Sequence, residues 1–153
     1  MGLRAALGRR DAETIGRAYS TALKQRLEEI GEWERSGRSY DLFDDPVRDW
    51  LDLVWWGEDP DTGAPIDAEL WFELVVAAAD SVGNDGGIWC VGDGPADQLV
   101  GDHPEMGLRL HAARLAHPGV ATMFEVMIES CRLEGNAATW WSDPTVLLRP
   151  GNE

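Results

Sequence analysis

Apolar residues Ile15, Tyr19, Leu23, Leu27, Ile30 and Trp33 recur at three- and four-residue steps, which places them on one stripe of an amphipathic helix. That helix is predicted from about Asp11 to Glu34, with the Asp11 carboxylate set to accept from the free N–H groups of the first turn. Ser36, Gly37 and Ser39 end it. A second helix is announced by Asp45-Pro46, an acidic cap followed by a proline whose missing N–H costs nothing in the first helical position. Its buried face is Val47, Trp50, Leu51, Val54 and Trp55. The turn-rich stretch 57–65 (GEDPDTGAP) then leads into a third helix, capped by Asp67, with Ile66 placed to pack on Trp71 as a hydrophobic staple. Leu70, Trp71, Leu74, Val75, Ala78 and Val82 continue its stripe until the glycine-rich breaker at Gly83–Gly87.

Beyond the breaker the pattern is less decisive. Ile88–Val91 is an apolar run too short to distinguish strand from helix, although a single strand without a partner is not stable by itself. Gly94-Pro95 reads as the cap and first position of a short helix through Leu99 and Val100, with Asp97 in its first turn. Another helix starts near Pro104 and buries Met106, Leu110 and Ala113. The last runs from about Pro118 to Leu133 on Val120, Met123, Phe124, Met127, Ile128 and Cys131. From Asn136 a tail carries Trp140-Trp141 and a short Val146–Leu148 run, and it is expected to dock by its aromatics. The reading is therefore an all-α chain, one compact domain of about six helices over residues 1–153, joined by short loops. Residues 1–10 are expected to form a flexible arginine-bearing N-terminus, and Trp50, Leu51, Trp71, Leu74, Leu110, Phe124 and Ile128 to share the core.

Charge changes this picture more than composition does. Residues 1–40 hold 8 Lys+Arg against 6 Asp+Glu, a net of +2, while residues 41–153 hold 5 against 22, a net of −17. A body this acidic repels phosphate backbones and anionic lipid, which argues against nucleic-acid and membrane-surface partners and favours a basic protein. Arg4, Arg9 and Arg10 are not followed by the apolar stretch of a secretion signal, and no run reaches a membrane span, so a cytoplasmic location is the default expectation. Cys90 and Cys131 stand in no metal or redox spacing and read as buried, reduced thiols.

The segments 71–106 and 111–129 resemble a family of uncharacterised bacterial helical domains. The shared features are an early tryptophan helix, a Gly-Pro turn opening a short acidic helix, a histidine, and a helix pair joined through a histidine-proline step. Trp71, Gly94, Pro95, Leu99, His103, Ala113 and Pro118 occupy those positions, and the resemblance covers about residues 50–130. Ala96-Asp97 stands where the family usually has Leu-Glu. The resemblance implies an all-helical domain and no particular chemistry.

Two constellations carry candidate function. Asp93, Asp97, Asp102, His103 and Glu105 could supply oxygen and imidazole ligands to a divalent metal, the basis of a small metal-dependent enzyme. Their spacing matches no calcium loop and no zinc-binding histidine pair, and the same acids serve equally as helix caps and first-turn charges. No cofactor is expected. His103, His111 and His117 are 8 and 6 residues apart and do not share a helix face; His117, before Pro118, reads as a helix-end residue. No nucleophile elbow and no phosphate-binding glycine loop is present in the sequence. The second constellation is the acidic run Asp41, Asp44, Asp45, Asp49, Asp52, Glu58, Asp59 and Asp61 around Trp55-Trp56. Adjacent tryptophans on a helix point about 100° apart, so one of each pair, here and at Trp140-Trp141, tends to leave the core unless the tail covers it, and burial is the favoured expectation. Trp56 is the expected apolar anchor of a surface for arginines and lysines. The function expected from it is that of an acidic binding protein, an immunity protein or antitoxin that neutralises a basic toxin such as a nuclease.

Overall fold

The computed structural model describes residues 2–36, 47–83, 85–135 and 139–148, and these build an all-α domain. The elements are α1 (Leu3–Gly8), α2 (Ala12–Ser36), α3 (Val47–Trp56), α4 (Ala68–Val82), α5 (Asp85–Val91), α6 (Asp97–Asp102), α7 (Glu105–Ala113) and α8 (Pro118–Leu133). A π-helical segment, Gly92–Ala96, joins α5 to α6, and a 3₁₀ turn, Pro144–Leu148, closes the described tail. Counting the unbroken run 85–102 as one helix leaves seven among the described residues. No strand occurs among them; Glu58 and Pro65 form an isolated antiparallel bridge across the loop.

At the centre lies α4, because it alone is apolar on nearly every side. Leu70, Trp71, Leu74, Val75, Val76, Ala78 and Ala79 are all buried. A helix with so wide an apolar surface needs neighbours around it. The long α2 supplies the most extensive contact, α8 packs alongside, and α3, α5, α6 and α7 complete the surround. The caps predicted at Asp11 and Asp67 are made. Asp11 accepts from the Thr14 N–H at 3.1 Å, and Asp67 accepts from the Leu70 N–H at 2.8 Å. The α2 stripe is buried at Ile15, Tyr19 and Leu23 but surfaces at Leu27. The side chain of Trp33, the helix stop at Gly37 and Ser39, and the Asp45-Pro46 cap lie outside the described residues.

The N-terminus is not a loose basic arm. α1 buries Ala6 completely, and Arg4 within it and Arg10 just after it reach residues more than 50 positions away. Arg4 grips Asp59 with two bonds of 2.7 Å and also meets Asp61. Arg10, in the left-handed region at φ 53°, meets Asp67 at 2.5 and 3.1 Å. Sequence periodicity has no means of seeing such pairings, since both partners are polar surface residues. Segment 1–10, read from the sequence as a flexible arginine-bearing N-terminus, thus carries a helix and these two ties.

A correction concerns Gly94-Pro95, which starts no helix. The chain is already helical from Asp85, so the ambiguous run Ile88–Val91 is helix, and it passes through Pro95 without breaking. Proline has no N–H for the carbonyl four residues back and its ring crowds that carbonyl. The chain accommodates it by widening one turn: the Asp97 N–H donates to the Gly92 carbonyl, five residues back. Gly92 and Gly94 let neighbours approach the widened turn. A Cβ at Gly92 would sit 2.5 Å from Met127, and one at Gly94 would sit 3.0 Å from the Trp55 ring.

The core is continuous. Trp71, Leu74, Leu110 and Phe124 lie within it, with Trp50, Leu51 and Ile128 partly buried against it. The tail docks as expected: Trp140 and Trp141 are both buried and stack at 3.9 Å, edge-on to Phe124. Neither leaves the core, because residues 139–142 form a turn and the 100° rule of helical neighbours does not apply there.

Candidate functional site

Trp55 and Trp56 occupy the last turn of α3, and the core fixes where that turn ends. Gly57 follows in the left-handed conformation, φ 63°, with its N–H donating to the Leu53 carbonyl at 3.0 Å. The Trp71 ring lies against this glycine so closely that no side chain could stand there. The Trp71 indole N–H donates to the Val54 carbonyl at 2.7 Å, one of the acceptors that the end of α3 leaves without a helical partner. The tryptophan at the centre of the domain thus locks the end of α3.

Both α3 indoles reach the surface, with Trp55 37% and Trp56 47% exposed and their centroids 5.8 Å apart. Placing Trp55 on the buried face is corrected here: only part of its ring is covered, by the π-helical turn at Gly94. Asp49 and Glu58, both exposed, make no ion pair among the described residues. Asp52 accepts from Arg48, one helical turn away, at 3.1 Å. Asp59 differs in kind. Its carboxylate is largely covered, and the Arg4 hydrogen bonds, helped by the Asp61 N–H, hold its pKa far below the ordinary carboxylate range. Asp59 is therefore the anchor of α1, with Asp61 sharing Arg4, rather than a free charge. Asp41, Asp44 and Asp45 lie outside the described residues.

The structure does not gather the five candidate metal ligands. Asp97 accepts from the Trp140 indole at 3.3 Å, and burial raises its pKa. His103 stands edge-on to Trp71 at 5.9 Å and lies 3.8 Å from Glu105. Asp102 accepts from Gln98 at 3.3 Å, and Asp93 is exposed on the π-helical turn. Among the described residues no three His, Cys, Asp or Glu side chains come together as a metal site.

Two histidines have roles that sequence reasoning missed. His111 Nε2 lies 2.6 Å from the Trp140 carbonyl, and its Nδ1 lies 3.4 Å from an Arg114 nitrogen. The arrangement requires a neutral ring that donates through Nε2 and accepts through Nδ1, and burial lowers its pKa in keeping with that. His111 also packs on Phe124 at 4.5 Å, so it fastens the tail. His117 stands at the N-terminal end of α8, not at the C-terminal end that favours a cation, and its partner is remote: Nδ1 lies 2.7 Å from Asp80 of α4. The other Asp80 oxygen accepts from the Gly119 N–H at 3.0 Å, capping α8 from across the domain. The only local hint was the lack of a Ser, Thr, Asp or Asn cap before Pro118.

No helix among the described residues is long and apolar enough to cross a membrane. Comparison with known protein families, curated proteins and solved structures finds no match to this chain.

Proposed function

We propose that this chain is a non-catalytic binding protein that captures a basic protein at the end of α3, with Trp56 as the apolar anchor and Asp49, Asp52 and Glu58 around it. The observation that carries the reading is the side-by-side exposure of Trp55 and Trp56 in a chain of net charge −15. Large exposed indoles with satisfied, rigid backbone behind them are what a binding hot spot requires. A surrounding negative field speeds encounter with a cationic partner, raising association above the neutral ~10⁵–10⁶ M⁻¹s⁻¹. In its most concrete form the reading is an immunity protein or antitoxin that neutralises a basic toxin such as a nuclease.

The test is capture of a basic protein from the native host, followed by binding kinetics at two salt concentrations. Asp49→Lys and Glu58→Lys are expected to slow association and flatten its salt dependence, because rim charges act through encounter. Trp56→Ala is expected to speed dissociation, with a cost of about 2 kcal/mol or more if it is a hot spot. Recovery of no basic protein, or binding indifferent to all three substitutions, refutes the reading.

A further inference from the structure

A groove of ≈ 540 Å³ lies between the first turns of α2 and the outer face of α4, with His117 at one side. It shares no residue with the α3 surface. Its volume falls within the ~300–1,000 Å³ typical of small-molecule sites. The floor is apolar, made by Phe72, Val76 and Ala77 of α4. Three carboxylates and one guanidinium line it, and their pairings decide what the groove can take.

Glu13 is engaged by Arg17 at 2.6 Å, one turn along α2. Asp80 has both oxygens committed, one to His117 and one to the Gly119 N–H. Glu73 differs, since it makes no hydrogen bond or ion pair among the described residues. It lies near enough to Arg10 and Arg109 to act on them electrostatically, but Arg10 is held by Asp67, and Arg109 is held by Glu69 with its guanidinium over one face of the Phe72 ring, 4.2 Å from the centroid. The groove therefore offers an apolar, partly aromatic floor and one carboxylate without a hydrogen-bonding partner, with the lining charge in favour of acids.

We propose that this groove binds small amphipathic amines, the apolar body resting on Phe72, Val76 and Ala77 and the ammonium donating to Glu73. A carboxylic acid of the same shape would meet Glu13, Glu73 and Asp80 as like charges. A neutral analogue would keep the apolar contact and lose the charge-assisted hydrogen bond.

The experiment is an NMR titration of the full chain with three probes of one shape: phenethylamine, 2-phenylethanol and phenylacetate. Phenethylamine is expected to give saturable shifts confined to residues 13–17, 72–81 and 117. The alcohol should bind at the same place about fivefold more weakly, the factor that corresponds to a semi-exposed charge pair. Phenylacetate should not bind. Glu73→Gln, at an exposed helical position, should bring the amine down to the affinity of the alcohol while leaving alcohol binding unchanged. Equal affinity for all three probes, amine binding unaffected by Glu73→Gln, shifts that map elsewhere, or no saturable shift overturns the proposal. Because the α3 surface contributes no residue here, failure of one site leaves the other standing.

Discussion

The chain contains two adjacent tryptophan pairs, and the structure uses them in opposite ways. Trp140 and Trp141 are buried, stacked on each other and edge-on to Phe124. Trp55 and Trp56 are tilted against one another at the surface, on a helix end that the core immobilises from below. The same dipeptide closes the core in one place and presents apolar area to solvent in the other. What separates them is backbone and polar satisfaction. The first pair sits in a turn that aims both rings inward, with an indole N–H on Asp97 and a carbonyl on His111. The second sits at the end of a helix whose buried positions are Leu53 and Val54, so that only part of Trp55 is covered, by the turn at Gly94, and Trp56 stays exposed.

Removing one ring from each pair breaks the comparison most directly. Trp141→Ala should cost about 3–5 kcal/mol of stability, the range for deleting a large aromatic from a core. It should also lower Tm visibly in a thermal melt. His111→Leu is the next largest change, because it strips the Trp140 carbonyl of its donor while keeping the volume. Denaturant unfolding should show a loss of about 1–3 kcal/mol.

The tail fastening also carries a pH signature. Burial lowers the His111 pKa, so the folded state binds fewer protons than the unfolded chain. That contribution to stability is complete above the unfolded value of ~6.5 and is lost as pH falls through the depressed folded value. Stability measured from pH 7.5 down to 5 should fall, and His111→Gln should flatten that part of the curve. Asp97 runs the other way: burial raises its pKa, so its contribution is fully present below ~3.9 and is lost as pH rises through the raised folded value. Asp97→Asn, which keeps an acceptor for the Trp140 indole, should therefore raise Tm slightly at neutral pH. The gain should be under about 0.5 kcal/mol, in the range of surface changes. Smallest of all is Trp56→Ala, expected to move folding stability by no more than about 0.5 kcal/mol. A loss of several kcal/mol there would show that the α3 pair is a second core and not a presented surface.

Local patterns gave the helices readily and the polar ties poorly. α8 runs from Pro118 to Leu133, where its apolar period and N-terminal proline place it, and Asp11 and Asp67 cap the helices they precede. Those features are legible because cause and effect lie within a few residues. Gly94-Pro95 misled because proline after a small residue is the ordinary sign of a helix start. Only the approach of Trp55 and Met127 to Gly94 and Gly92, from distant parts of the chain, shows why small residues are needed in a continuing helix. At the candidate site, the acidity around α3 was visible, but its division of labour was not. Asp59 is tied to Arg4 by a pairing of sequence separation 55, which leaves Asp49 and Glu58 as charges unpaired within the described chain. For His111 and His117, spacing correctly denied a shared face but gave no clue to Trp140 or Asp80.

The π-helical turn has a consequence for how this chain tolerates insertion and deletion. A five-residue closure holds one residue more than an ordinary turn, so the segment Gly92–Ala96 works as an inserted residue inside an otherwise regular helix. The extra residue resets helical phase by about 100° between α5, which packs on α8, and α6, which packs toward α7 and α3. Deleting the exposed Asp93 would thus do more than shorten a helix. It would rotate Leu99 and Val100 out of register with the core while leaving Ile88 and Val91 where they are. Length at this point acts as an angular setting, and a change of one residue would be felt by every side chain downstream to His103.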